Sequence, residues 1–292
     1  MNALKSYGLA FLTGTVITIL LTVTMLQITM DFRILLFLSS VLYFIGGFLN
    51  AKTNGSAFVK VGLILLVYST LFIVLVLEQL PSLYYFVFFF IISSGLGMFF
   101  SKNQKEVKVS ALVVILLMSF ASIKLIPKAI EKQLTTAKND PLPQFEMKDM
   151  NGNFIKSKDF EGKVVLLDFF GNWCAPCIQE LKELDRVQRK FESNKNVLFY
   201  VINANFGGDT PEKFQTFIDK KNYNFTYAYD YESKIYNLLK LPRGGSLPAL
   251  MIVDKNQTIR MLHIGYNRAE TNFSKNLTQK IEQLLREKQF DD

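Results

Sequence analysis

Five stretches without a charged residue dominate the start of this chain: 6–30, 34–51, 61–77, 79–101 and 109–123. A helix needs about 20 apolar residues to cross a bilayer, and four of the five runs reach or approach that length. The fifth ends at Lys124, whose long stem lets its ammonium snorkel to the headgroups, so its helix is expected to continue to Ile126. The expectation is an all-α transmembrane region over 1–128 with five spans. Four spans is the alternative, if 34–51 is re-entrant or the last run lies on the surface. Before position 130 the only acids are Asp31, Glu78 and Glu106, against 25 acidic residues in the whole chain. A uniformly globular protein spreads its charges, and a disordered one does not reach 50% apolar residues, so both classes are excluded.

The net charge of +8 sits mostly in this apolar part, in short clusters between runs. That placement sets membrane orientation and does not make a nucleic-acid face. Lys5, Lys52, Lys60, Lys102, Lys105 and Lys108 fall on one side, and the opposite loops offer Arg33 beside Asp31, and Glu78. The positive-inside rule then puts the N-terminus in the cytoplasm, and an odd number of crossings puts everything after about residue 128 outside. Tyr84 and Tyr85 fall where an outer aromatic belt would lie, with packing against neighbouring helices as the equal alternative. The first run has no small-residue cleavage site after it and reads as a retained span. Residues 1–130 hold no Cys and no His, and no acid in mid-span. This part is therefore expected to anchor, not to relay electrons, protons or metals.

From Asp140 the sequence changes character, with 129–140 read as linker and 141–292 as a soluble domain. The pattern predicts strands near 144–149, 164–170, 197–203, 225–229, 249–253 and 258–264. Helices are predicted from Cys174 to about Phe191, from Thr210, over 232–240 and over 269–288. Strands alternating with helices and closing on a hairpin imply an α/β fold with a central mixed sheet.

Both cysteines of the chain fall in Cys174-Ala175-Pro176-Cys177, after Trp173, where a strand turns into a helix. Unpaired N–H groups and the positive end of the macrodipole at a helix start stabilise a thiolate, so Cys174 is the expected nucleophile. Cys177 lies one turn on, on the same face, and is the natural resolving thiol. A structural disulfide over so short a loop removes little chain entropy. Zinc would need a second ligand pair, and haem attachment would need His where Ile178 stands.

The run Val164 to Cys177, VVLLDFFGNWCAPC, resembles the active-site strand and helix of the thioredoxin superfamily, and within it the membrane-tethered oxidoreductases of the TlpA/ResA type. The likeness covers roughly 141–290. It implies a thioredoxin-like fold and thiol–disulfide exchange with extracytoplasmic proteins, more often as reductant, for example of apocytochrome c thiols. It implies no cofactor besides the redox-active Cys174–Cys177 pair. Ser246-Leu247-Pro248-Ala249 is similar to the family's cis-proline loop, which makes Trp173, Pro176, Leu247 and Pro248 the expected substrate-binding residues and Pro248 a cis-proline.

Asp168 matches the buried carboxylate of thioredoxin, and Glu180 an acidic position frequent in the TlpA/ResA group; either could take a proton from Cys177. An exposed helix residue is the competing reading of Glu180. Lys182 stands where the family usually has a helix-kinking proline, so a straighter helix is expected. Because the spans lack cysteines, a separate membrane electron donor is implied. A thiol peroxidase of the redoxin group, and a redox-sensing or client-binding module, are the competing functions. His263, the only His, is expected to be a packed or edge-strand residue, and Gly207-Gly208 a turn.

Overall fold

In the computed structural model the described residues are 2–28, 31–77, 83–100, 109, 112, 115, 116, 118–221, 223–242 and 245–287. The chain divides into two compact units, Met1–Gln133 with Asn267–Ala269, and Leu134–Tyr266 with Glu270–Asp292.

The first unit is helical: α1 (Ala3–Val23), α2 (Phe32–Asn50), α3 (Ala57–Phe72) and α4 (Tyr85–Phe100), with α5 (Ile126–Leu134) entering the second unit at its last residue. Glycines let the backbones meet: a Cβ on Gly14 would strike the Ile64 carbonyl of α3, and one on Gly97 the Phe44 carbonyl of α2. Tyr43, Tyr68, Phe72, Phe86 and Phe90 form one aromatic cluster between α2, α3 and α4. Outward, Phe11, Leu12, Ile19, Phe37, Phe48 and Phe88 are exposed, an apolar surface unlike that of a water-soluble bundle.

Five spans were expected. Among the described residues two helices, α1 and α2, are long and apolar enough to cross a bilayer. α3 and α4 are apolar but shorter, since α3 gives way to a π-helical turn at Ile73–Leu77. Residues 110, 111, 113, 114 and 117 of the fifth run, along with Glu78, Lys102, Lys105 and Lys108, lie outside the described residues. Lys60 is not the loop charge that the orientation argument assumed. It is buried in the first turn of α3, where its ammonium donates to the carbonyls of Asn50 and Thr53 at 2.9 Å and so satisfies the C-terminal end of α2.

The second unit is built on a six-stranded mixed sheet in the order β1-β8-β7-β4-β5-β6. The strands are β1 (Thr135–Pro141), β4 (Val164–Phe170), β5 (Val197–Asn203), β6 (Thr226–Tyr229), β7 (Ala249–Val253) and β8 (Thr258–Ile264). β2 (Glu146–Lys148) and β3 (Phe154–Lys156) form a separate hairpin. β4 is wholly buried, as a run apolar at every position but Asp168 favours, and lies parallel to β5 and antiparallel to β7.

The helices are α6 (Ala175–Lys190), α7 (Pro211–Asp219), α8 (Lys234–Leu238) and α9 (Phe273–Arg286). α6 and α9 bury Leu181, Leu184, Leu277 and Ile281 against Val164, Leu166, Leu250 and Ile252 on one face of the sheet. α6 runs unbroken through Lys182, in keeping with the missing proline. The expected linker 129–140 is instead the end of α5 followed by β1, which pairs with β8 along Thr135↔His263 to Pro141↔Thr258. Its polar sequence, TTAKNDP, suits an edge strand with an exposed outer surface and carries no apolar alternation to betray it.

Candidate active site

β4 ends at Phe170 and the chain turns through Gly171, Asn172 and Trp173 into α6. Cys174 occupies the N-cap of that helix, and its sulfur accepts the Cys177 N–H at 3.2 Å. Pro176 sits in the first turn, where its missing N–H costs no helical hydrogen bond. Cys174 and Cys177 form a disulfide with their Cα atoms 5.2 Å apart. Both are buried, Cys177 more deeply, so the sulfur nearer the surface is the one that meets a partner first.

The rim is held by hydrogen bonds. The Trp173 indole N–H donates to the Phe206 carbonyl at 2.8 Å while the ring stays 53% exposed. Gly207 adopts φ +65, and a Cβ there would collide with that indole, so the expected turn glycine is also what lets Trp173 lie flat on the loop. The Asp209 carboxylate accepts from the Asn172 N–H at 2.8 Å and from the Asn203 side chain at 2.9 Å, tying the turn before Trp173 to the end of β5. Asn203 and Asp209 were not singled out in the sequence. A polar residue closing the apolar strand 197–203, opposite Phe170 in register, was the available signal.

The Leu247–Pro248 bond is cis. The Tyr236 hydroxyl donates toward the carbonyls of Pro242 and Ser246, and the Pro248 carbonyl accepts from the Gly265 N–H at 2.7 Å, which fixes this loop at the head of β7. Leu247 lies against the Gly171 turn. The loop and the cysteine turn therefore border the same patch, with Trp173 and Pro176 on one side and Leu247 and Pro248 on the other.

Two carboxyls are buried on the strand and the helix that the cysteine turn joins. Asp168, on β4, faces the α6 side of the sheet and is almost completely buried. Glu180, one turn beyond Cys177, is fully buried, which removes the reading of an exposed helix residue. Neither carboxyl has a hydrogen-bond partner among the described residues. Burial pushes Asp168 up to about 7. Burial, and then the charges of Asp168 and Glu270, hold Glu180 well above the usual carboxylate range. His263 is packed, as expected, though β1 covers β8 and makes it an interior strand. Its ring stacks near Phe273, and burial pushes it down to about 4. Among the described residues no group of three or more His, Cys, Asp or Glu is placed to hold a metal ion.

Known proteins match this arrangement. The AhpC/TSA family model matches residues 139–262. The C-terminal half of this chain is a thioredoxin-like AhpC/TSA domain. Among its relatives, the thioredoxin-like protein YneN of Bacillus subtilis is 23% identical over 158 residues, covering 53% of this chain and 88% of the relative. The thiol-disulfide oxidoreductase ResA of Geobacillus thermodenitrificans is 21% identical over 164 residues, covering 56% and 90%. That of Bacillus cereus is 29% identical over 128 residues, covering 44% and 70%. All three alignments are shorter than the chain by nearly half or more.

The raised Asp168 gives a stability signature. Unfolded, the group ionises near its ordinary 3.8, whereas folded it keeps its proton to about 7. Between those values the native domain holds the extra proton, so this group's cost grows as pH rises and is complete above about 7. D168N lacks that cost. Its stability relative to the parent should improve by about 2–3 kcal/mol between pH 5 and pH 8, read by urea unfolding of the oxidised protein through the fluorescence of Trp173. A difference that stays constant over that range would contradict the assignment.

Proposed function

We propose that this chain is a membrane-held thiol–disulfide oxidoreductase whose AhpC/TSA domain reduces disulfides of proteins outside the cytoplasm through Cys174 and Cys177. Its enzyme class is that of the relatives named thiol-disulfide oxidoreductase. The observation that carries the reading is the pair itself: two sulfurs at a helix N-terminus, one capping the helix and the other buried one turn on.

The Cys174 thiolate attacks a client disulfide, forming a mixed disulfide and releasing one client thiolate. Cys177 then gives its proton to the Asp168–Glu180 site and its thiolate attacks the Cys174 sulfur. The Cys174–Cys177 bond forms, the bond to the client breaks, and the departing sulfur takes up a proton. Two electrons have passed from the dithiol to the client. Trp173, Pro176, Leu247 and Pro248 are the residues a client would lie against.

The exposed apolar surface of α1, α2 and α4 supports insertion in a bilayer as an anchor; a domain outside with the N-terminus in the cytoplasm requires an odd number of crossings, hence a further span beyond α1 and α2. A reductant in an oxidising compartment must be recharged. With no cysteine in the helical unit, the electrons come from a separate membrane protein. Apocytochrome c is one client of suitable chemistry. A peroxidase would use one reactive cysteine apart from any close partner, and here both cysteines are committed to each other. The purified protein should therefore consume hydroperoxide no faster than a Cys174→Ser variant.

In the native membrane C177S should accumulate client proteins joined to Cys174, releasable by reductant and labelled by a membrane-impermeant reagent on the outer side. Absence of adducts, or labelling from the cytoplasmic side alone, would overturn the assignment. The direction is tested by the midpoint potential of the pair. A reductant should lie near the value of about −270 mV typical of thioredoxin, and one near the −120 mV of a strong oxidant would reverse it.

A further inference from the structure

The Trp173 turn leaves β4 and the cis-proline loop enters β7, and the strand ladder joins them only as far as Phe169 opposite Ala249. Beyond that pair the two lips of the client patch need other contacts to keep their spacing. Phe206 and Tyr236 supply them.

Phe206 holds the first lip, since its carbonyl is the group that accepts the Trp173 indole N–H. The backbone is left-handed on both sides of it, at Asn205 (φ +56) and Gly207 (φ +65), and an asparagine keeps that conformation where surrounding contacts enforce it. One such contact is the Asn203 side chain, which accepts the Asn205 N–H at 2.9 Å. With its carbonyl committed to the indole, Phe206 meets Tyr236 edge to face, the ring centroids 5.0 Å apart and the planes at 89°.

Tyr236 holds the second lip. It is 1% exposed, and its hydroxyl donates toward the carbonyls of Pro242 and Ser246 at 3.0 and 3.1 Å. Burial pushes the phenol up to about 12, so it remains a donor at physiological pH. The buried Asp230 carboxylate accepts the N–H groups of Ile235 and Tyr236 at 2.9 and 2.8 Å, and the Asp230 N–H donates to the Asn203 carbonyl. Tyr236 is thereby tied to the end of β5, from which Phe206 follows. Two close approaches complete the circuit: a Cβ on Gly245 would lie 3.0 Å from the Phe206 ring, and one on Gly171 would lie 3.4 Å from Leu247 Cδ1.

We propose that Phe206 and Tyr236 are positioning residues that fix the spacing of the Trp173 turn and the cis-proline loop, and so set the affinity of the patch for an extended polypeptide bearing a disulfide. This deepens the dithiol reading above and rests on it. A small disulfide needs only access to Cys174, whereas a polypeptide must lie along both lips at once, so a change in their spacing is felt in binding and not in the exchange. Lips already in place also spare the complex the cost of ordering a loop as the client binds. The atoms of the exchange are unchanged.

The test uses the full chain with insulin as the polypeptide probe and dithiothreitol as reductant. Each turnover converts one insulin disulfide to two thiols and forms the Cys174–Cys177 bond, which dithiothreitol reduces while closing to its own cyclic disulfide. Y236F deletes the hydroxyl and keeps the ring. It should raise KM for insulin about fivefold, with kcat within about twofold of the parent. F206A should raise KM about tenfold. In the double variant the two increases should not multiply, because both residues act through one line of contacts. Y227F removes a buried hydroxyl that has no hydrogen-bond partner among the described residues and belongs to the cluster on the α6 side of the sheet, and it should leave KM in place.

An insulin KM unmoved in both single variants, or a fall in kcat at constant KM, would overturn this inference and leave the exchange reaction standing. Increases that multiply, or an equal rise in Y227F, would do the same. The reduced parent is also mixed with 5,5′-dithiobis(2-nitrobenzoate), where attack by Cys174 releases one thionitrobenzoate and attack by Cys177 the other. A parent that releases both but does not reduce insulin would overturn the inference by removing the polypeptide client. A parent that releases only the first would instead remove the dithiol reading, and the inference with it.

Discussion

The constraint on which the second unit turns is the burial of ionisable groups on the strand and helix that meet at a pair of sulfurs. Placing Asp168 in the middle of a fully buried strand, with no hydrogen-bond partner among the described residues, works against stability. A leucine there would pack with Val164, Leu166 and Phe170 at no such penalty. The domain carries the cost at the one strand that ends at the cysteine turn, and repeats it with Glu180 on the helix that begins there. Burial raises both groups toward the range in which thiols exchange protons, which a surface carboxylate would not reach.

The remaining features of the site follow from keeping those groups in register with the sulfurs. β4 is flanked on both sides, parallel to β5 and antiparallel to β7, so its end is fixed. Asn203 and Asp209 secure the turn after it, and Cys174 caps α6 with its own sulfur, which aims the helix N-terminus at the exchange reaction. Among the described residues the apolar helical unit shows nothing comparable: a buried polar contact such as that of Lys60 with the carbonyls of Asn50 and Thr53 closes a helix end. The two units thus differ in where each spends its buried polar groups.

Much of this was legible in the residues. The apolar run 164–170, the helix from Cys174 and the hairpin 249–264 stand within a residue or two of their expected limits, because each has strong periodicity and is bounded by turn residues. The cysteine pair and Pro248 were readable because motif spacing is local. β1 was missed since an edge strand that borrows its apolar environment from β8 needs no pattern of its own. The burial of Glu180 was undecided because its neighbours Gln179, Lys182 and Glu183 are polar, and only the packing of α6 on the sheet turns it inward. Phe206 and Tyr236 were unreadable as a pair, being brought together by tertiary structure alone. The span count failed for a different reason: uncharged length in sequence does not reveal a break in helical geometry such as Ile73–Leu77.

The account depends on the buried carboxyls sensing the redox state of the sulfurs. Redox-difference infrared spectroscopy of the full chain at pH 7 measures this. Reducing the Cys174–Cys177 bond should shift the C=O band of a protonated carboxyl, and that signal should vanish in a D168N/E180Q double variant. A difference spectrum with no carboxyl band, or one that the double variant leaves unchanged, would contradict it.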